Sequence, residues 1–249
     1  MVHRTRFISF AFSHIHSWLP PPTPNFRSAC QKAGVTKIGF LRHGNTSPKP
    51  QDGHDFDRQL TDLGREQVRE AGASFGRNLK PFYATMLVSP APRTMETAQL
   101  FLKSSHAEED CAIKPVQGLY DGTMHPEGSV IFQKIGYAAL IDYVDTCADE
   151  KDKEMIRHLL GLYANAVIDS ITNVIDERNV VEGNDFTLWM VGHAIYLPAA
   201  ALGIATQLDC HDDGLNVILS SNTKEAEGYL IDVEKSEAMY LSRSANVEV

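Results

Sequence analysis

Short unbroken apolar runs alternate with stretches in which apolar positions recur every three or four residues. Runs at residues 35–41, 85–89 and 187–191 predict buried strands, because each is brief, rich in β-branched or large apolar residues, and bounded by glycine, serine or proline. Between them, Val68, Ala71, Phe75 and Leu79 lie on one helical face, so a helix is predicted from an N-cap at Thr61 to about residue 79. A second helix is predicted from Arg93 through Leu102, and a weaker third strand over 113–119.

Beyond Gly128 the pattern turns helical for some fifty residues, as helices over 130–144 and 154–175, with breaks around 148–151 and near Gly161. A further helix starts at Tyr196. The C-terminal part reads as strands at 215–220, 226–233 and 238–242. Strands alternating with helices predict a layered α/β sheet covered on both faces.

Two of the predicted strands end alike. Ile38-Gly39-Phe40-Leu41-Arg42-His43-Gly44 and Leu188-Trp189-Met190-Val191-Gly192-His193-Ala194 both stop at a histidine beside a glycine. In open parallel sheets ligands collect outside the carboxyl ends of the strands, so two histidines delivered there predict a shared site.

Charge changes the picture at the N-terminus. Seven basic residues precede the first acidic one, Asp52, which leaves 16 of the 23 basic residues against all 32 acidic ones in the remainder, a net of −16. A body so acidic repels polyanions, so nucleic acid is not an expected partner. No apolar stretch reaches the roughly 18 residues that a membrane-spanning helix requires. The 249 residues suit one α/β domain over 35–249, with a helical insertion at about 128–180.

Residues 1–34 are basic, free of acidic residues and interrupted by Leu19-Pro20-Pro21-Pro22-Thr23-Pro24, and they are expected to lie outside the fold as a tail or transit peptide. The corresponding address is mitochondrial or plastid; an untargeted tail leaves the protein cytoplasmic. Cys30, Cys111, Cys147 and Cys210 form no C-x-x-C pair and are expected as free thiols.

The chemistry sharpens around Ser89-Pro90-Ala91-Pro92-Arg93, where a second strand ends and an arginine rises from a helix N-terminus, a place that favours anions. Arg93 and Arg42 supply planar donor forks suited to phosphate oxygens. Beside them a neutral His43 imidazole is a candidate nucleophile, its pKa held down by the neighbouring arginine.

With LRHGNT, DFDRQLTDLGREQ, VSPAPRTMETA and WMVGHA, the chain resembles the histidine phosphatase superfamily, also called phosphoglycerate mutase-like. The likeness spans residues 36 to about 102 and resumes at Trp189. It implies a three-layer α/β/α fold with a mostly parallel central sheet. It also implies that His43 is phosphorylated while Arg42, Arg93 and His193 bind the phosphoryl group. Relatives carry their general acid as the third residue of a Leu-x-Glu element after the third strand. Here that element is Leu119-Tyr120-Asp121, which makes Asp121 the candidate acid and Glu127 the fallback. Thr46 and Arg58 are further candidates to face substrate, or to order the loop.

The implied activity is metal-independent phosphatase action on a phosphorylated small molecule or phosphoprotein, with no cofactor, since cationic side chains neutralise the transferring group. Mutase activity is the alternative, less expected because no Gly-Trp-x-Asp pattern follows the first loop. A non-catalytic phosphate-binding scaffold is another. The helical insertion falls where the family places a lid and could equally be a docking surface. Oligomeric state and substrate identity have no readable code.

Overall fold

The computed structural model describes residues 17–49, 51, 54–76, 83–107, 111–121, 126–136, 138–145, 149–177 and 186–243. Six strands form one sheet: β1 Val35–Arg42, β2 Tyr83–Val88, β3 Cys111–Pro115, β4 Phe186–Gly192, β5 Gly228–Asp232 and β6 Glu237–Leu241. Their order is β3-β2-β4-β1-β5-β6. The pairs β2/β3, β2/β4 and β1/β4 are parallel, and β5 and β6 add an antiparallel edge. The sheet is therefore mostly parallel, as the resemblance implies.

The helices are α1 Phe26–Lys32, α2 Asp62–Gly76, α3 Pro92–Ser105, α4 Gly118–Asp121, α5 Pro126–Ile135, α6 Leu140–Val144, α7 Glu150–Glu177, α8 Tyr196–Gln207 and α9 Asp212–Ser220. They sort by the period-2 alternation of the strands. Ile38, Phe40, Leu188, Met190, Tyr229 and Ile231 face the core shared with α1, α7, α8 and α9. Leu41, Met86, Val88, Trp189, Val191 and Leu230 face the core shared with α2 and α3. Trp189 lies opposite Gly39, where a Cβ would enter the space of its ring. Every residue of α8 is buried, consistent with its uniformly apolar sequence and its place between α7 and the sheet. Among the described residues no helix is long and apolar enough to cross a membrane.

The structure corrects several expectations. Residues 215–220 belong to helix α9, in which Leu215, Ile218 and Leu219 turn to one buried side; a short apolar run does not by itself distinguish strand from helix. Strand β3 ends at Pro115, and the chain then turns into α4. The expected helix over 130–144 is two, separated at Gly136, which takes a positive φ of 76°. Gly161 does not interrupt α7. It is small because the carbonyl of Trp18 rests where a Cβ would be.

Trp18 belongs to the stretch expected to lie outside the fold, and for residues 17–34 that expectation fails. Leu19, Phe26 and Cys30 enter the main core. Gln207 on α8 grips the proline run, accepting from the Thr23 amide at 2.5 Å and donating to the Pro21 carbonyl at 2.9 Å. Arg27 donates to the Leu208 carbonyl and the Ser236 hydroxyl. The polyproline run directed attention away from Phe26, Ala29, Cys30 and Ala33, whose spacing is that of an amphipathic helix. Residues 1–16, which carry the rest of the transit-peptide expectation, lie outside the described residues.

Cys30 and Cys210 are buried free thiols, each pushed up to about 12 by burial. Cys111 is half-buried, and Cys147 lies outside the described residues.

Candidate functional site

Three neighbouring strands deliver the site. In the order β2-β4-β1, Val88 pairs with Val191 and Arg42 with Gly192, so Ser89, His193 and His43 leave the sheet at nearly the same level. Backbone bonds continue the ladder past the strand ends: the Ser89 amide donates to the Val191 carbonyl and the His43 amide to the Gly192 carbonyl, both at 3.1 Å. The two histidine rings meet edge to face with centroids 5.4 Å apart.

Arg42, His43, Arg93 and His193 are all buried. The His43 ring nitrogen Nδ1 lies 2.8 Å from the Gly44 carbonyl. A carbonyl only accepts, so Nδ1 carries the hydrogen and the lone pair falls on Nε2. Burial, assisted by His193 and by the charges of Arg42 and Arg93, holds the His43 pKa well below its ordinary value. His193 is brought to about 3, by burial first and then by Arg93, Arg42 and Arg58. Both imidazoles are therefore neutral at neutral pH.

Each buried arginine is tethered. Arg42 donates to the Thr223 carbonyl at 2.6 Å and reaches the Glu225 carboxylate at 3.4 Å. The backbone beside it is also fixed: the Arg42 amide donates to the Glu227 carbonyl at 2.9 Å. Arg93 is held by the turn at Asp55–Asp57, donating to the Asp55 carbonyl at 2.6 Å and to the Asp55 carboxylate at 2.7 Å. Glu96, one turn further along α3, pairs instead with Arg65 at 2.6 Å.

Thr46 and Arg58 are brought together in the loop after β1. Arg58 donates to the Thr46 hydroxyl, to the Ser47 carbonyl at 2.9 Å and to the Asp55 carboxylate at 3.2 Å. Burial disfavours the charged form of Asp55, but the charges and hydrogen bonds of Arg93 and Arg58 outweigh it and hold its pKa below the ordinary value. One polar chain thus runs from Thr46 through Arg58, Asp55, Arg93 and His193 to Ser89.

The loop rests on α2. Thr61 caps that helix, its hydroxyl accepting from the Gly64 amide at 3.0 Å and donating to the Asn45 side-chain oxygen at 2.8 Å. Gln67 accepts from the Asn45 amide at 2.9 Å, and Thr97 on α3 accepts from the Gly44 amide at 3.3 Å. Asp121 closes α4 and Glu127 lies early in α5, but the side chains of both are outside the described residues. Their neighbour Tyr120 does reach the site: its ring lies 6.0 Å from His193 and 4.9 Å from Phe56, centroid to centroid.

Sequence reading missed Asp55 and Glu225 as arginine tethers, Ser89 as a partner of His193 and Tyr120 as part of the wall. Ser89 had a signal, since it occupies the strand-end position equivalent to the two histidines. Glu225 had none, because its partner, Arg42 at the end of β1, lies 183 residues away in sequence.

Residues 38–118 match the family model of the histidine phosphatase superfamily (branch 1). Arg42, His43 and Arg93 lie within the matched stretch, and His193 lies beyond it. Among solved structures, the chain is similar to phosphoglycerate mutase from Bacillus anthracis str. Sterne, at 15% identity over 84% of this chain and 92% of that one, with a TM-score of 0.52. The fold is accordingly phosphoglycerate mutase-like. Lower TM-scores of 0.46 relate it to the SixA protein of Agrobacterium tumefaciens, at 15% identity over 80% of this chain and 92% of that one. A mycobacterial glucosyl-3-phosphoglycerate phosphatase has the same score, at 15% identity over 82% and 96%. No curated protein matches the chain.

Proposed function

We propose that the protein is a metal-independent phosphatase that hydrolyses a phosphomonoester or phosphoprotein through a phosphohistidine on His43. The observation that carries this reading is the state of His43: a buried neutral imidazole, its Nδ1–H given to the Gly44 carbonyl, lying edge to face with His193 and within the fields of two buried arginines. Nε2 then attacks phosphorus as the bond to the leaving oxygen breaks in line. Arg42 and Arg93 stabilise charge on the equatorial oxygens, joined by His193 as its Nε2–H turns from the Ser89 hydroxyl to the phosphoryl group, which makes a metal unnecessary. Asp121 donates the proton to the departing oxygen, and water cleaves the phosphohistidine to release phosphate and restore His43.

Purified protein incubated with p-nitrophenyl phosphate in the presence of a chelator tests this. Turnover with an acid-labile phosphoenzyme is expected, and His43→Ala should abolish both. Equal rates for the two proteins would sink the reading.

The basic stretch ahead of residue 17 is proposed as a mitochondrial or plastid address, tested by imaging a fluorescent protein fused behind it.

A further inference from the structure

Arg93 is 3% exposed, and its donors are unevenly used. The end of the guanidinium is occupied mainly by Asp55: Nη1 donates to its carbonyl at 2.6 Å and, more distantly, to the Phe56 carbonyl at 3.5 Å, while Nη2 donates to the Asp55 carboxylate at 2.7 Å. The side edge is different. There Nη2 also lies 3.3 Å from His193 Nδ1, and the adjoining Nε–H is buried with no hydrogen-bond acceptor among the described residues. A buried donor without an acceptor costs free energy unless a ligand supplies one.

We propose that Asp55 is a positioning residue: it grips Arg93 end-on so that the Nε edge, beside His193, is presented to the phosphoryl group. Guanidinium forks bind anions through either face, and fixing one face selects the other. The tether also neutralises part of the arginine's charge without entering the pocket edge on which a phosphoryl oxygen would sit. Arg42 is held on the same plan, by the Thr223 carbonyl and the Glu225 carboxylate. The carboxylate of Asp55 is in turn shared with Arg58, whose other bonds go to Thr46 and Ser47. The loop after β1 therefore sets the orientation of an arginine on α3.

This rests on the pocket binding a phosphoryl group, and the experiment separates the two ideas. Inorganic phosphate is titrated calorimetrically into the full-length protein and into Asp55→Asn. Then kcat/KM for p-nitrophenyl phosphate is measured for wild type, Asp55→Asn, Arg93→Ala and the double variant, with melting temperatures alongside. Loss of the charged tether should weaken phosphate binding about tenfold. The same loss should vanish in the Arg93→Ala background, as coupled residues do in a double-mutant cycle.

Asp55→Glu, which keeps the charge, should recover part of the loss, and Asp55→Ser completes the cycle if Asp55→Asn does not fold. Undiminished or tighter phosphate binding by Asp55→Asn would mean that the carboxylate competes with phosphate, and would overturn the proposal. So would an equal loss with and without Arg93. Failure of the wild type to bind phosphate or turn over substrate would overturn the proposed function itself.

Discussion

Arg93 donates to Nδ1 of His193 across 3.3 Å, and this contact fixes the tautomer of a histidine 100 residues away in sequence. A guanidinium has no acceptor, so Nδ1 must be unprotonated and Nε2 must carry the hydrogen, which it gives to the Ser89 hydroxyl at 2.9 Å. Helix α3 and strands β2 and β4 are thereby joined at one imidazole.

Replacing Arg93 by lysine should therefore fail as a conservative change. Lysine keeps the charge but lacks the planar fork that meets Asp55 and His193 together. We expect kcat/KM for p-nitrophenyl phosphate to fall by about two orders of magnitude, since a lost charge-assisted contact to a transferring phosphoryl group is worth roughly 3 kcal/mol. Steady-state kinetics check it; activity within about threefold of wild type would contradict the role given to the fork.

The depressed histidines make stability depend on pH with a definite sign. Burial and the arginine charges bring His193 to about 3, below its unfolded value of 6.5. Between those values the unfolded chain binds a proton that the folded chain refuses. Stability is then complete above about pH 6.5 and is lost as pH falls, by about 1.4 kcal/mol per unit for this group. His43 adds in the same direction. Urea denaturation at pH 7, 6 and 5 in phosphate-free buffers should show the decline, and His193→Gln should flatten it.

The strand ends and the arginine turn were legible because they are local: an apolar run, a stop, and the charged residue just beyond it. That made Arg42, His43, Arg93 and His193 readable in place. Contacts that close across the chain were not. Glu225 reaches Arg42 from the loop before β5, and Asp55, which by composition belongs to a solvated acidic loop, is spent on Arg93. Helix α9 reads as a strand for a related reason, since Leu215, Val217, Ile218 and Leu219 fit either period and only packing against β6 and α8 decides.

Gly64 offers a test in which propensity and packing disagree. It lies in the first turn of α2, where alanine would ordinarily stabilise a helix by about 1 kcal/mol. A Cβ here, however, would collide with the backbone of Asn45, two residues after His43, while Gly44 in turn lies against the Gly64 carbonyl. Overpacking against a backbone costs about 1–3 kcal/mol. Gly64→Ala should therefore lower the melting temperature, and it should lower kcat more than a remote substitution of equal stability cost, because the loop it displaces carries His43. A rise in melting temperature with unchanged kcat would show that the loop yields.

The N-terminal segment provides the last contrast. Had residues 1–34 been a tail, a chain starting at Val35 would be as stable as the full chain. The structure instead buries Leu19, Phe26 and Cys30 in the main core and ties the intervening prolines to Gln207 and Arg27 to Leu208. Full burial of a leucine or phenylalanine side chain contributes about 1.5–3 kcal/mol, so removing these residues should cost roughly 5 kcal/mol in all. Their loss also uncovers part of α8, where Leu19 lies beside Gly203 and the proline run sits on Gln207. A chain starting at Val35 should unfold at markedly lower urea than one starting at Ser17, or aggregate on expression. Equal midpoints for the two would return residues 17–34 to the status of a tail.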